Sequence, residues 1–289
     1  MNPISFVTQM IRIAVPYLFA ASGGVVAERA GVVSLTLEGF MLTGAFAAVL
    51  GTNYTGNPWM GVLAGMIGGL IFAAIHAIAS IRYRADQVVV GVAINLLAIG
   101  VTRFFLKLFF ASSSNSPRVA GFGENIKAAG FDNPLLWLGL LSAPIVAFVI
   151  YKTPFGLRVR AAGEHPDAAE SVGVSVHRVR YIAVAISGVL AALGGVYLAL
   201  DQHQFTDQMT AGRGFIAISA VIFGRWNPIR AALACLLFAA AETFQIQLQG
   251  SHAIPSQFVE MIPYVLTIIA LAGVVGRAVP PAALGKADS

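Results

Sequence analysis

Charge is what this sequence has least of. Only 11% of its 289 residues are Asp, Glu, Lys or Arg, against 57% hydrophobic, and the mean hydropathy is +0.79. A soluble domain carries about a quarter charged residues, so too few are present to coat a water-soluble globule, and the outer surface must face lipid. A single cysteine, Cys235, excludes an internal disulfide and a cysteine-based zinc or iron–sulfur site. In its apolar surroundings it reads as a small packing residue. The five histidines are scattered, neither H-E-x-x-H nor G-x-S-x-G occurs, and no carboxylate pair suggests a shared catalytic site. No enzyme activity, metal or cofactor is expected in the chain. A phosphate loop of the form G-x-x-x-x-G-K-[ST] is missing too, so ATP is not bound by that route. The net charge of +5 is not gathered into a basic stripe with interleaved aromatics, and nucleic-acid binding is set aside. No small-residue cleavage site follows the first apolar run, which reads as a span kept in the mature protein.

What the chain does have is long apolar runs. Crossing about 30 Å of hydrocarbon takes about 20 largely apolar residues. Candidate spans cover residues 9–27, 34–51, 59–81, 88–109, 134–151, 180–200, 213–224, 230–249 and 258–276. The expectation is an all-α, polytopic bundle of eight or nine spans forming one transmembrane domain over residues 1–289. The stretch 213–224 is short and runs into Gly224 and Pro228, which points to a half-helix or shallow crossing. Glycines within the spans, such as Gly65, Gly68, Gly69, Gly188, Gly194 and Gly195, suit close helix packing in lipid.

Arginine and lysine set the orientation. With the N-terminus outside and nine crossings, twelve of the 18 basic residues fall in inner loops and six outside (Arg12, Arg103, Lys107, Arg118, Lys127 and Arg213). The positive-inside rule then puts the C-terminus in the cytoplasm. A polar loop at 111–133 lies outside, and a charged loop at 152–179 lies inside. Trp59 and Trp137 fit the interfacial aromatic belt, and Phe104, Phe105, Phe109 and Phe110 are assigned to lipid.

Polar side chains inside spans are costly, so they face a cavity or another helix. Glu38, Asn95, Asp201, Gln202 and Glu242 are the candidates for lining a path for a hydroxyl-rich solute, with donors and acceptors for a ribose and a base. Each has a structural alternative. Glu38 can cap a helix start or pair with Arg29, Asn95 can tie two helices together, and Asp201 can sit in interfacial water. His76, alone on an apolar face, reads as a packing residue. Glu38 and Glu242 also allow a second reading, in which they are ion sites of a gradient-driven transporter.

The inner loop carries a punctuated short helix. Pro166 suits a first helical position, Asp167 and Glu170 complement the helix dipole, and Gly173 suits a stop. Ala168 and Ala169 keep one side small enough for a partner's groove. The alternative is a solvated inter-helix loop.

Three stretches carry a family resemblance. They are Arg160-Ala161-Ala162-Gly163-Glu164-His165-Pro166-Asp167-Ala168-Ala169-Glu170-Ser171-Val172-Gly173, the run from Glu28 to Leu42 with its Gly31-Val32-Val33 and Leu37-Glu38-Gly39, and Phe223-Gly224-Arg225-Trp226-Asn227-Pro228. Together with Pro280-Pro281-Ala282-Ala283-Leu284-Gly285 they resemble the ABC importer permeases that serve ribose-type sugars, nucleosides and branched-chain amino acids. The nucleoside branch fits best, although Ser34-Leu35-Thr36 departs from its usual Asn-Ile-Gly. The resemblance implies a bacterial inner-membrane permease that moves nucleosides, or alternatively simple sugars such as ribose or galactose, by alternating access. It further implies that Arg160, Gly163, Glu164, Pro166, Asp167, Ala168, Ala169, Glu170 and Gly173 form a coupling element seated in a separate cytoplasmic ATPase. ATP and Mg would be used by that subunit. A second, different permease and an extracytoplasmic solute-binding protein complete the implied assembly.

Overall fold

Among the described residues the chain forms ten α-helices, most of them on the apolar runs above. The computed structural model describes residues 3–122, 131–249 and 279–286. The expected span at 258–276, Arg277 and Lys127 lie outside the described residues. The helices are α1 (Pro3–Arg29), α2 (Leu37–Thr55), α3 (Pro58–Ala77, continued by a π-helical turn Ile78–Arg82), α4 (Gln87–Phe110) and α5 (Pro134–Lys152). Two short ones, α6 (Pro154–Glu164) and α7 (Pro166–Ser171), precede α8 (Val176–Asp201), α9 (Arg213–Phe223) and α10 (Pro228–Gln249). Among the described residues there is no strand, only an isolated bridge between Asn115 and Thr206.

Helix starts are set by side chains that the sequence places just outside them. Asn57, Asp86, Asn133 and Thr153 each accept a backbone N–H of the first turn of α3, α4, α5 and α6, and Pro58, Pro134 and Pro154 occupy first positions. Such caps supply partners for N–H groups that the helix itself leaves open.

Among the described residues, six helices are long and apolar enough to cross a membrane: α1, α3 with its π-helical turn, α4, α5, α8 and α10. Helix α2 carries Glu38, Asn53 and three threonines, and most of its residues are buried. Helix α9 has 11 residues, or about 16 Å at 1.5 Å per residue, too short to cross alone. The short segment expected at 213–224 is therefore a half-length helix.

The core centres on α8, which packs against α1 on one side and against α2 and α3 on the other. Their contact faces are alanine- and glycine-rich, and the backbones approach closely enough to exclude larger side chains. A Cβ on Gly195 of α8 would lie 1.8 Å from the Met41 carbonyl oxygen of α2. Helices α3, α4 and α5 stand around this centre with wide apolar faces outward, including Ile67 and Ile71, Leu96 and Phe104, and Ile145 and Phe148. Trp59 and Trp137 are about half exposed. Phe104 and Phe109 face outward as expected, whereas Phe105 and Phe110 pack partly against the core. Cys235 is fully buried, and so is His76, whose ring meets Phe40 edge-on.

Replacing Gly195 by leucine is expected to lower the thermal midpoint of the solubilised protein sharply, because the contact is with backbone. Gly100, with nothing within 4 Å of an added Cβ, is the control. Its alanine variant should melt no lower than the parent, while Gly195→Leu should cost about 1–3 kcal/mol or more.

Candidate functional site

Two non-helical stretches, 30–36 and 202–212, meet beside the start of α2; the first is largely buried, and the second mixes buried residues such as Phe205 and Thr210 with exposed ones such as Gln202 and Ala211. Side chains supply partners for part of the first stretch, where backbone polar groups away from water need them. Val33 N–H donates to Gln87 Oε1 at 2.7 Å, and Ser34 N–H to Glu28 Oε1 at 3.3 Å. Asn95 accepts from Gly39 N–H on Oδ1 and donates from Nδ2 to the Leu35 carbonyl, both at 2.8 Å. Asn95 lies eight residues into α4, about 12 Å from its start, so α2 begins well inside the bundle. It joins two helices, the structural role weighed for it, and also lines a cavity.

Glu38, in the first turn of α2, meets the second stretch. Its Oε1 accepts from the Thr210 hydroxyl at 2.5 Å and Gly212 N–H at 2.9 Å, and its Oε2 from Gly214 N–H at 2.7 Å. These N–H groups open α9, so the carboxylate caps that helix and complements its dipole. The capping of a helix start weighed for Glu38 is what forms, at α9, while Arg29 lies against Glu164 instead. Beside this contact lies a cavity of about 330 Å³ lined by Glu38, Asn95, Gln208, Thr210, Gly212 and Phe215, together with apolar residues of α2 and α4. It brings hydrogen-bonding groups and one aromatic ring to the place where both helices begin.

Asp201 and Gln202 line a different cavity, of about 650 Å³, with Arg12, Gln9, Tyr197 and Arg213. Arg12 holds both Asp201 oxygens, at 3.1 and 2.9 Å. Glu242 lies behind Arg213, which donates to its Oε1 at 3.1 Å, and Tyr17 donates its hydroxyl to the other oxygen. The start of α9 thus divides the two cavities, with Gly212 in one wall and Arg213 in the other. The five expected path residues split accordingly: Glu38 and Asn95 at one, Asp201 and Gln202 at the other, and Glu242 as the anchor of the divider.

At the opposite end of the bundle the charged loop folds as two helices that break at His165. Pro166 occupies the first position of α7, Asp167 its first turn, and Gly173 takes φ +84° just beyond it. Asp167, Ala168, Glu170 and Val172 are exposed, while Ala169 is buried, so the two alanines face opposite ways. Glu170 lies 3.9 Å from His177 Nδ1. The Arg160 guanidinium sits 5.6 Å from the centre of the Tyr151 ring. Gly163 and Glu164 point inward to a junction. A Cβ on Gly163 would fall 2.1 Å from the Arg29 carbonyl oxygen. Its own carbonyl accepts from Ala283 N–H at 2.9 Å, and Glu164 Oε2 accepts from Ala282 N–H at 3.3 Å. The segment 280–285 thereby straps α6 to the end of α1, where Gly285 N–H reaches the Gly31 carbonyl at 3.2 Å.

The residues at the end of α1 complete this junction, and the sequence reading gave them no role there. Arg29 Nη1 lies 3.8 Å from Glu164 Oε1, and its Nε donates to the Trp226 carbonyl at 2.8 Å. The Trp226 indole N–H donates to Glu28 Oε2 at 2.5 Å. Arg225 and Trp226 both adopt left-handed backbone, φ 51° and 55°, between α9 and α10. That conformation costs roughly 1–2 kcal/mol per residue, and the two bonds from the end of α1 offset it. A continuous chain of contacts therefore runs from α6 through Arg29 and Trp226 to α9, and along α9 to Glu38. The signal was present as Glu28-Arg29 at a span end and as the Arg225-Trp226-Asn227-Pro228 break. Only the fold shows that they touch.

Glu38→Ala removes three hydrogen bonds and strands two helix N–H groups. It is expected to destabilise the start of α9 by about 3 kcal/mol, read as lost hydrogen-exchange protection at Gly212 and Gly214. Glu38→Gln, keeping one acceptor oxygen, is expected to fall between the two. Unchanged protection in Glu38→Ala would show that the cap does not hold the helix.

Comparison with known proteins agrees with this architecture. The chain is 42% identical to the guanosine ABC transporter permease protein NupQ of Bacillus subtilis, covering 94% of this chain and 92% of that one. It is 37% identical to the nucleoside ABC transporter permease protein NupC of Lactococcus lactis, covering 96% and 95%. Among solved structures, an ABC transporter chain assigned to the metal-chelate type, in an inward-facing conformation, matches with a TM-score of 0.53 at 14% identity, over 92% of this chain and 85% of that chain, which speaks to the fold alone. The profile of the branched-chain amino acid transport system / permease component family matches residues 6–271. With that match spanning most of its length, the chain belongs to this permease family.

Proposed function

We propose that the chain is the membrane-embedded permease of a nucleoside importer, driven by a separate ATPase seated on α6 and α7. The observation that carries this reading is the cavity at Glu38, where two interrupted segments meet. Asn95, Gln208 and Thr210 offer hydrogen-bonding groups there, and Phe215 an aromatic surface for a base. Interrupted helices at membrane depth recur where transporters bind solutes. The relatives named for guanosine and nucleosides support the substrate class.

The bundle is read as eight or nine crossings, counting α2, α9 and the span at 258–276, with the C-terminus in the cytoplasm beside α6. Asp167, Ala168 and Glu170 present the exposed face of α7 to the ATPase. Arg160, Gly163, Glu164, Pro166, Ala169 and Gly173 fix its position on the bundle. Movement of α6–α7 reaches α9 through Glu164, Arg29 and the Trp226 turn, and α9 carries the wall between the two cavities. A second, different permease and a solute-binding protein outside complete the assembly, and ATP with Mg belongs to the ATPase. Glu38 and Glu242 are both engaged by protein donors, which speaks against their use as ion sites.

In proteoliposomes holding the assembly, guanosine uptake is expected to require internal ATP and to persist when ion gradients are collapsed. Uptake without ATP would reject the reading, and uptake of galactose in preference to guanosine would move the substrate to sugars. Trp226→Phe removes the indole N–H at the junction but leaves the cavities intact. It is expected to lower transport per ATP hydrolysed by about tenfold, within the 0.5–2 kcal/mol by which residues along a coupled path act. Equal transport per ATP in parent and variant would remove the junction from the path.

A further inference from the structure

An apolar groove of about 460 Å³ opens on the outer face of the bundle between α1, α3, α5 and α8, away from both cavities above. Helix α5 leans on α1 but scarcely touches α8, and the gap is walled by Ile145 and Val149 on one side and Ile186 and Val189 on the other. Its wall on α5 runs from Leu138 to Ile150, about 18 Å at 1.5 Å per residue. That is close to half of a hydrocarbon core of about 30 Å. The groove therefore has the length of one leaflet. Its one polar lining side chain, Ser142, bonds inward to the Gly139 carbonyl at 2.7 Å and to Ser22 at 3.0 Å.

One end of the groove reaches Phe155 at the base of α6, and by helical spacing basic residues continue its walls at that end. Lys152 closes α5, and Arg158 lies one turn beyond Phe155. Arg178 lies one turn before Ile182, whose outward face continues into Ile186 and Val189 on α8. All three basic side chains are exposed, and Ile182 is half exposed. The three stand beyond the apolar lining itself, on the helices that wall it, where a headgroup rather than an acyl chain would lie.

We propose that this groove is a site for an anionic phospholipid, one acyl chain lying between α5 and α8 and the headgroup phosphate held by Lys152, Arg158 and Arg178. A wet apolar slot in a lipid-facing surface is unfavourable, and an acyl chain is the apolar partner the bilayer supplies. Basic residues at a groove between spanning helices select an anionic headgroup. Binding beside Phe155 would seat the lipid against α6, so that the coupling end of the bundle packs partly on lipid.

The test uses the full chain purified with its partner subunits from nanodiscs containing equal phosphatidylglycerol and phosphatidylcholine of the same acyl length, with native mass spectrometry of retained lipid. One phosphatidylglycerol is expected to stay bound per chain in preference to phosphatidylcholine. Neutralising Lys152, Arg158 and Arg178 to glutamine, at exposed positions that leave the core untouched, is expected to reduce that preference by about fivefold per residue. Ala185→Phe, which fills the groove, is expected to displace both lipids, and a soluble, monodisperse assembly shows that the variant is folded. Retention of neither lipid by the parent, equal retention of both, or a preference that survives the triple substitution would overturn the proposal. So would a cross-link from Ile186 to a neighbouring permease chain, which would make the groove a protein interface.

Discussion

A bundle set in hydrocarbon has little water to satisfy its polar groups, so a carboxylate inside it needs a partner from the protein. That constraint organises this molecule. Glu28 is held by the Trp226 indole and Ser34 N–H, Glu38 by the start of α9, Glu242 by Arg213 and Tyr17, and Asp201 by Arg12. All but the Glu28–Ser34 bond join segments at least 29 positions apart, and most involve a helix end or break. The few charges the chain carries within its spans fix where its irregular segments sit.

The same pairings create the site. Helices that begin in mid-bundle leave a cavity beside their first turns, and the groups that cap them face that cavity. Glu38 and Asn95 therefore serve the fold and line the space at once, and the structural and functional readings of these residues do not compete. The wall at α9 is short, about 16 Å, and is secured at both ends: by Glu38 and Arg213 at its start, and by Trp226 beyond its finish. A half-length helix held this way can move as a unit when either anchor moves.

Much of the helical layout was legible in the sequence, because apolar runs and caps are local signals. The runs at 88–109 and 134–151 match α4 and α5 to within a residue at each end, and Asp86 and Asn133 mark their starts. Pro166 and Gly173 bounded α7 as expected. What the sequence could not convey was which distant segment would satisfy each buried charge. Glu38 read as a cap for some helix start or a partner for Arg29, and only the fold shows that the helix is α9. The break at His165, which divides the charged loop into two helices, was signalled by Thr153-Pro154 ahead of Pro166. The junction of Glu28, Arg29, Glu164 and Trp226 lies between residues up to 198 positions apart, and no local pattern joins them.

The central claim is that α7 is where a separate ATPase takes hold of this permease. Val172 is 78% exposed at its end, and the one native thiol, Cys235, is fully buried, so Val172→Cys provides a single accessible thiol beside α7. With the assembled complex, a short reagent that is thiol-reactive at one end and photoreactive at the other, attached to this variant and illuminated, is expected to yield a product joining permease and ATPase. A thiol that reacts only with reagent supplied from outside the cell, and never joins the ATPase, would contradict the account.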